Sequence, residues 1–350
     1  MQKQNHHILQ TSATRLSLWV VLFTAILMMA VLGLLFYQTY QMVEIESQRY
    51  AERQLDNTAL RVRNYLNEVE VVTRHTEWQV YAHLQPDSLL SFTRHLVNLN
   101  PIVNGCSITM EPNFFPQYGR YFSAYSVRQA DSVVTQREAP YEYFDKVWYS
   151  TPKVRGQAVW VDPFDDTNEG TLAAEGLIAS YCKPLFNAQK QIIGVLSTDL
   201  SLHRLSCIIT ADKAFPHSYT FMLGHKGHYF VHPNTAKLVH TTIFDGVDPD
   251  KQADVMTLGL DMVNGKRGCH EVVINGERSQ VFYCPLLDTD WSLALVCPVN
   301  DMFSSYWNMV YMTVPIVVVG LLLLFLFCRI TISRLLRPED QRLQTPHSDF

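Results

Sequence analysis

Catalytic signatures are missing from these 350 residues. There is no GxGxxG turn for a dinucleotide, no HExxH helix for a catalytic zinc and no GxSxG elbow for a nucleophilic serine. Gly259 through Gly265-Lys266 is superficially similar to a phosphate loop. Its glycines stand one residue too far apart, and Arg267 occupies the place of the metal-holding Ser or Thr. Seven cysteines occur without CxxC or zinc-finger spacing. An excess of charge is missing too: 28 basic against 33 acidic residues gives a net charge of −5, which points to no nucleic-acid partner. The chain is therefore expected to be no enzyme and to need no cofactor or metal.

Charge is absent altogether from two long runs, Leu16–Tyr37 and Met309–Cys328. Each is about the length a helix needs to cross a bilayer, and neither has a polar face. The first is too long for the core of a cleaved signal peptide, usually about 7–15 residues, and ends in Leu-Leu-Phe-Tyr-Gln instead of small residues. Trp19, Tyr37, Tyr306, Trp307 and Tyr311 fall near the span ends, where amphipathic rings favour the headgroup layer. The spans are set at 16–37 and 309–328. Arg329, Arg334, Arg337 and Arg342 follow the second span, and Lys3 and Arg15 precede the first. The positive-inside bias then places a 1–15 tail and the 329–350 segment in the cytoplasm and the middle, 40–305, outside. Arg49 and Arg53 argue weakly the other way, but long domains translocate largely regardless of charge. Outside the cytoplasm disulfides can form. Cys106, Cys182, Cys207, Cys269, Cys284 and Cys297 lie mostly in apolar strand patterns and read first as small buried hydrophobes. Cys269 and Cys284, flanking one hairpin, are the pair to test.

Between the spans the hydrophobic period changes. Leu55, Ala59, Val62, Leu66 and Val69 recur at 4-3-4-3 spacing, predicting one long helix from near Val43 to Leu84, stopped by Pro86 and able to conduct displacement toward the membrane. From Ile102 the period is two. Cys106–Met110, Tyr121–Val127, Leu177–Leu185 and Gln191–Leu200 read as strands. Tyr219–Leu223, His228–His232, Gly268–Ile274, Arg278–Cys284 and Trp291–Val296 follow, with a hairpin turn at Asn275-Gly276. Tyr181-Cys182-Lys183-Pro184-Leu185 returns as Tyr283-Cys284-Pro285-Leu286, each before a polar turn and an apolar strand. The fold class is α+β, with two tandem antiparallel-sheet modules, about 40–210 and 211–305, beside the long helix.

One stretch concentrates rings and charges: Tyr141, Lys146, Trp148, Tyr149, Trp160, Phe164, Asp165 and Asp166. Aromatic walls with a few fixed charges can exclude water and orient a small amine or zwitterion. An ammonium would meet the Trp and Tyr faces with Asp166 and Asp199, and a carboxylate would meet Lys146. His225, His228 and His232 lie near Asp245, Asp248, Asp250 and Asp254, but their spacing fits no standard zinc or calcium loop. His232 reads as structural, and the Asp-rich run as a solvated loop.

These residues resemble the double-Cache extracytoplasmic sensor domain of bacterial transmembrane receptors. The resemblance rests on Trp148-Tyr149, Trp160-Val161-Asp162-Pro163-Phe164-Asp165-Asp166, Pro184-Leu185 and Gly194–Leu200. It continues through Gly227–Asn234 with His232-Pro233-Asn234, Gly265–Gly268 and Trp291–Pro298, in order between the spans. It implies PAS-like modules and a ligand site in the first, carried by Tyr141, Lys146, Trp148, Tyr149, Asp166 and Asp199. Lys146 stands where the family's carboxylate-clamping Arg is expected, and Phe164 replaces a common Tyr. A Lys lacks the planar fork, which weakens the expectation of an amino acid and leaves a small amine or organic acid. The chain is thus expected to be a two-pass receptor of the cell membrane that senses a small molecule as a homodimer and signals to a cytoplasmic partner. The alternatives are the sensory half of a truncated histidine kinase, chemoreceptor or other signalling enzyme, or a membrane-anchored hydrolase or adaptor. The segment after Cys328 is too short for an output domain.

Overall fold

The structure, a computed structural model, describes residues 2–130, 132–164, 177–211, 213–249, 251–274 and 276–335. Asp165, Asp166, Asp250, Asn275, Arg337 and Arg342 lie outside the described residues. The chain separates into two units, residues 1–48 with 302–350, and residues 49–301.

The first unit is helical. Two helices, α1 (Gln2–Ala82) and α7 (Ser304–Leu335), contain stretches long and apolar enough to cross a membrane. Leu22, Phe23, Leu34, Leu322 and Phe327 are all exposed on them, as lipid-facing side chains would be. Within this unit Tyr40 stacks on Phe303 at 4.8 Å and meets Tyr306 edge-on at 5.5 Å.

The second unit holds two antiparallel sheets. The α1 residues in this unit bury a seam of Ala51, Leu55, Thr58, Val62, Leu66, Val69 and Thr73. The seam passes through Thr58 where the sequence pattern suggested Ala59. Thr58 satisfies its hydroxyl on the Gln54 carbonyl one turn back at 2.9 Å, so burial costs it no unpaired polar group. Pro86 opens α2 (Pro86–Leu99), as a proline at the first helical position can.

The first sheet is built from β1 (Gly105–Met110), β2 (Ser123–Gln129), β3 (Ser132–Arg137), β4 (Val159–Phe164), β5 (Ile178–Phe186) and β6 (Ile192–Ser201). Its order is β3-β2-β1-β6-β5-β4. Helix α3 (Val147–Arg155) precedes β4, and α4 (Leu202–Thr210) follows β6. The second sheet comprises β7 (Tyr219–Leu223), β8 (Tyr229–Val231), β9 (Gly268–Ile274), β10 (Glu277–Pro285) and β11 (Ser292–Pro298), in the order β8-β7-β11-β10-β9. Helix α5 (Ala253–Val263) precedes β9, and the short α6 (Val299–Met302) follows β11. Apart from the extra edge strand β3, the two orders match strand for strand. The prolines of the repeated Pro-Leu motif, Pro184 and Pro285, fall on equivalent strands, β5 and β10.

One sequence expectation needs correction, and the cysteine pair singled out for testing has an answer. The Asp-rich run is not simply a solvated loop, because Asp254 lies in α5 and accepts the Val273 N–H at 3.2 Å. Cys269 and Cys284 are not joined, and all seven cysteines are free. In the register Cys269 lies opposite Phe282 and Cys284 opposite Leu293, so the two are at best diagonal neighbours.

Candidate functional site

The alternation of β-strand side chains decides which residues of the first sheet can meet. The register aligns Gly105 with Asp199 and Asp199 with Ser180; it also aligns Ser107 with Tyr125 and Ser197. These residues therefore share one face of the sheet. Residues one step along each strand, such as Cys106, Thr198, Tyr181 and Trp160, belong to the other face, where Thr198 bonds Thr73 of α1 at 2.8 Å.

A cavity of about 20 Å³, enough for one water-sized group, opens on the first of these faces. Ser107, Tyr125, Ser197 and Asp199 form its floor. Tyr141, Trp148, Phe164 and Ile178 wall it, and Glu138 completes it. Asp199 is 4% exposed. Its Oδ1 accepts Ser180 at 2.7 Å and Ser197 at 3.1 Å, while Oδ2 has the Tyr125 hydroxyl at 3.5 Å, too long for a strong bond. Burial pushes the Asp199 carboxyl above the usual range, and the three hydroxyls offset part of that rise. Gly105 is required beneath it, because a Cβ there would lie 2.7 Å from Asp199 Oδ2 and 3.1 Å from the Tyr125 hydroxyl. Glu138 is also pushed up, to about 7, chiefly by burial.

The walls are positioned by an aromatic cluster. Tyr143 accepts the Phe122 N–H at 2.8 Å and packs against Tyr141, Trp148 and Tyr149. On α3 consecutive residues diverge by about 100°. Trp148 consequently reaches the cavity while Tyr149 turns away, donating to Glu111 at 2.7 Å beneath the Lys153 ammonium. Lys153 in turn pairs with Glu111 at 2.5 Å. Gly156 ends α3 in the left-handed region at φ 63, its N–H bonded to the Pro152 carbonyl.

Of the residues singled out by sequence, Tyr141, Trp148, Phe164 and Asp199 come together around this cavity. Tyr149 buttresses it from behind. Lys146 is the exposed N-cap of α3 and does not line it. Trp160 is on the opposite face, donating to Glu70 of α1 at 2.8 Å and packing on Tyr181 and Trp291. Asp166 lies outside the described residues. The sequence pattern missed Ser107, Tyr125, Glu138, Ile178 and Ser197.

The second sheet shows what the same face looks like without a polar floor. Aligned on Pro184-Leu185 and Pro285-Leu286, its register puts Val296 in the place of Asp199, Ala294 in that of Ser197, Val281 in that of Ser180 and Phe221 in that of Ser107. All four are in a core closed by Leu258 and Met262 of α5. His232 likewise has a packing role: it accepts the Asn234 N–H at 2.9 Å and lies edge-on to Tyr219 and Tyr229. Burial holds its imidazole down at about 4. Among the described residues no group of three or more His, Cys, Asp or Glu could hold a metal ion.

Comparison with known proteins gives this architecture its class. Residues 89–207 match the family model of the methyl-accepting chemotaxis protein-like, first PDC sensor domain. Similar solved structures include extracellular domains of proteins described as histidine kinases and ligand-binding domains of chemoreceptors. The extracellular domain of mmHK1S-Z3, described as a histidine kinase, is 20% identical with a TM-score of 0.60, over 78% of this chain and 98% of that one. The ligand-binding domain of the Pseudomonas fluorescens chemoreceptor CtaA with L-isoleucine is 16% identical with a TM-score of 0.54, over 77% and 99%. That of the Pseudomonas aeruginosa amino-acid chemoreceptor PctB with L-Gln is also 16% identical at 0.54, over 75% and 98%. The fold between the two apolar helices is that of a double-Cache/PDC sensor. Residues 89–207, the part that matches the sensor-domain model, hold every described residue of the cavity.

Proposed function

We propose that this chain is a two-pass membrane receptor that binds a small molecule outside the cytoplasm and passes occupancy to a cytoplasmic partner. The spans are 16–37 and 309–328, both tails are cytoplasmic, and the sensor segment is 40–305, working as a homodimer. Its modules are 40–210 and 211–305, with the ligand in the first. The orientation is supported by the arginines after Cys328, and the receptor class by the sensor-domain match. Occupancy would act by shifting the population between two packing states of the membrane helices.

The observation that carries the ligand reading is the buried Asp199 carboxylate on the floor of an aromatic-walled cavity. Such a group is costly to keep charged without a partner, and an ammonium over Trp148 and Tyr141 would supply one. The ligand class favoured is therefore a small amine. Similar domains whose structures contain L-isoleucine or L-Gln support small-molecule binding in general. Calorimetry of the full chain in lipid nanodiscs, against amines, amino acids and organic acids, tests this. An amine-bearing compound should bind and lose affinity in Asp199→Asn. Binding only of amine-free acids, indifferent to Asp199→Asn, would remove the reading. Orientation is checked on intact cells in a cysteine-free background: a thiol at position 251 should label from outside and one at 344 should not.

A further inference from the structure

We propose that Glu138 is a second cation-binding carboxylate of this cavity, making the site selective for a small diamine over a monoamine or a zwitterion. This rests on the reading of the cavity as an ammonium site at Asp199. Glu138 immediately follows β3 at the position that continues the register opposite Ser123, since Ala124 pairs with Arg137. Its N–H donates to the Ser123 carbonyl at 3.0 Å, and its carboxyl bonds the Ser123 hydroxyl, which also meets Thr109 at 2.8 Å. Asp199 is registered with Gly105 and Glu138 lies at the level of Thr109, with Ser107 between them. Four residues along the strands at about 3.3 Å each and three strands across at about 4.8 Å each set their backbones about 20 Å apart. The side chains close most of that gap: Asp199 reaches over Gly105 toward Tyr125, Glu138 reaches back to Ser123, and both carboxyls line the one cavity and feel each other's charge, leaving a span that a diamine of about four to six carbons can bridge.

The described residues lining the cavity include two carboxylates and no Lys, Arg or His. Three basic side chains on neighbouring elements are engaged elsewhere, Lys153 by Glu111, Arg120 by Glu142 and Arg137 over the Tyr118 ring, and Lys146 is exposed at the α3 N-cap, outside the cavity lining. A zwitterion's carboxylate would consequently face Glu138 without a cation, whereas a second ammonium would pair with it. The cavity as it stands admits one ammonium-sized head. The alkyl linker of a diamine would lie against Trp148, Tyr141 and Phe164, which must part to admit it.

Three probes of equal length separate the charges: 1,5-diaminopentane, pentylamine and 5-aminopentanoate, with the four- and six-carbon diamines as length controls. In calorimetry of the full chain in nanodiscs the best diamine should bind at least about tenfold more tightly than pentylamine, the worth of one charged hydrogen bond. The aminopentanoate should bind more weakly than pentylamine. Glu138→Gln should remove the diamine's advantage by weakening diamine binding at least about tenfold more than pentylamine binding, with thermal melts confirming a folded variant. Equal wild-type affinity for diamine and pentylamine, or equal loss of both in Glu138→Gln, would overturn the proposal. If pentylamine then still loses affinity in Asp199→Asn, the ammonium-site reading survives. If no amine binds, both fall.

Discussion

Replacing Asp199 by Asn separates the cost of its charge from its use. The side chain keeps its shape, and the amide oxygen can still accept from Ser180 and Ser197, now at 2.7 and 3.1 Å from Oδ1. What disappears is a buried charge. A carboxyl whose folded-state pKa is raised binds more protons folded than unfolded, so its stability contribution is full below the unfolded value, about 3.9, and is lost as pH rises through the folded one. The direction of the Asp199 shift therefore predicts that the wild-type protein loses stability on going from pH 4 toward neutrality and that Asp199→Asn loses less. Melts of the full chain in nanodiscs should nearly coincide at pH 4, with the variant at or above wild type at pH 8. Amine affinity should meanwhile fall about 10- to 150-fold, from the roughly 1.5–3 kcal/mol of a charged hydrogen bond. A variant that melts well below wild type at pH 8 while binding amines normally would refute this reasoning, because Asp199 would then be a structural anion.

Other substitutions probe the same geometry from different sides. Gly105→Ala places a methyl 2.7 Å from Asp199 Oδ2; overpacking of about 1–3 kcal/mol should lower Tm and cut amine affinity at least about tenfold in calorimetry. Trp160→Phe loses the Glu70 hydrogen bond on the opposite face, so a melt should show about 1–2 kcal/mol of lost stability and calorimetry an unchanged affinity. His232, held down at about 4, contributes stability that is present above about 6.5 and lost as pH falls through 4. His232→Gln should flatten the melt profile across that window without changing ligand affinity.

Some strands were legible from the sequence. Tyr219–Leu223 and Gly268–Ile274 have in the structure the boundaries that their β-rich composition between turn residues predicts. The elements that escaped have competing signals. β3 is an edge strand with exposed ends and no buried row. β4 contains Asp162 and Pro163, residues depleted in strands, and so looked like a pocket lining. α3 begins Val-Trp-Tyr and encloses Pro152, a composition that argues against a helix. Tertiary packing of Trp148 and Tyr149 overrides that local preference.

The site was half legible, and the reason is the sheet. Rings and charges in one short stretch identified Tyr141, Trp148 and Phe164, because a loop, a helix start and a strand end bring neighbours in sequence to one wall. The floor is assembled from β1, β2 and β6, and nothing local ties Ser107 or Tyr125 to Asp199 before the register is known. Parity within a strand could have supplied one piece: Ser197 and Asp199 are two apart on β6 and must share a face. The same rule bears on Trp160. Val159 and Val161 pack in the aromatic cluster beside the cavity, so the residue between them has to point the other way, to Glu70 and Trp291. Chemical type made Trp160 a candidate, and strand parity assigns it to the α1 side. The comparison of the two sheets carries the argument further. The second sheet puts Val296 at the position of Asp199 and Phe221 at that of Ser107, and its face is closed by hydrophobic packing. A ligand cavity in this architecture thus depends less on the fold than on a few polar substitutions at register-equivalent positions, and those substitutions occur on the first sheet.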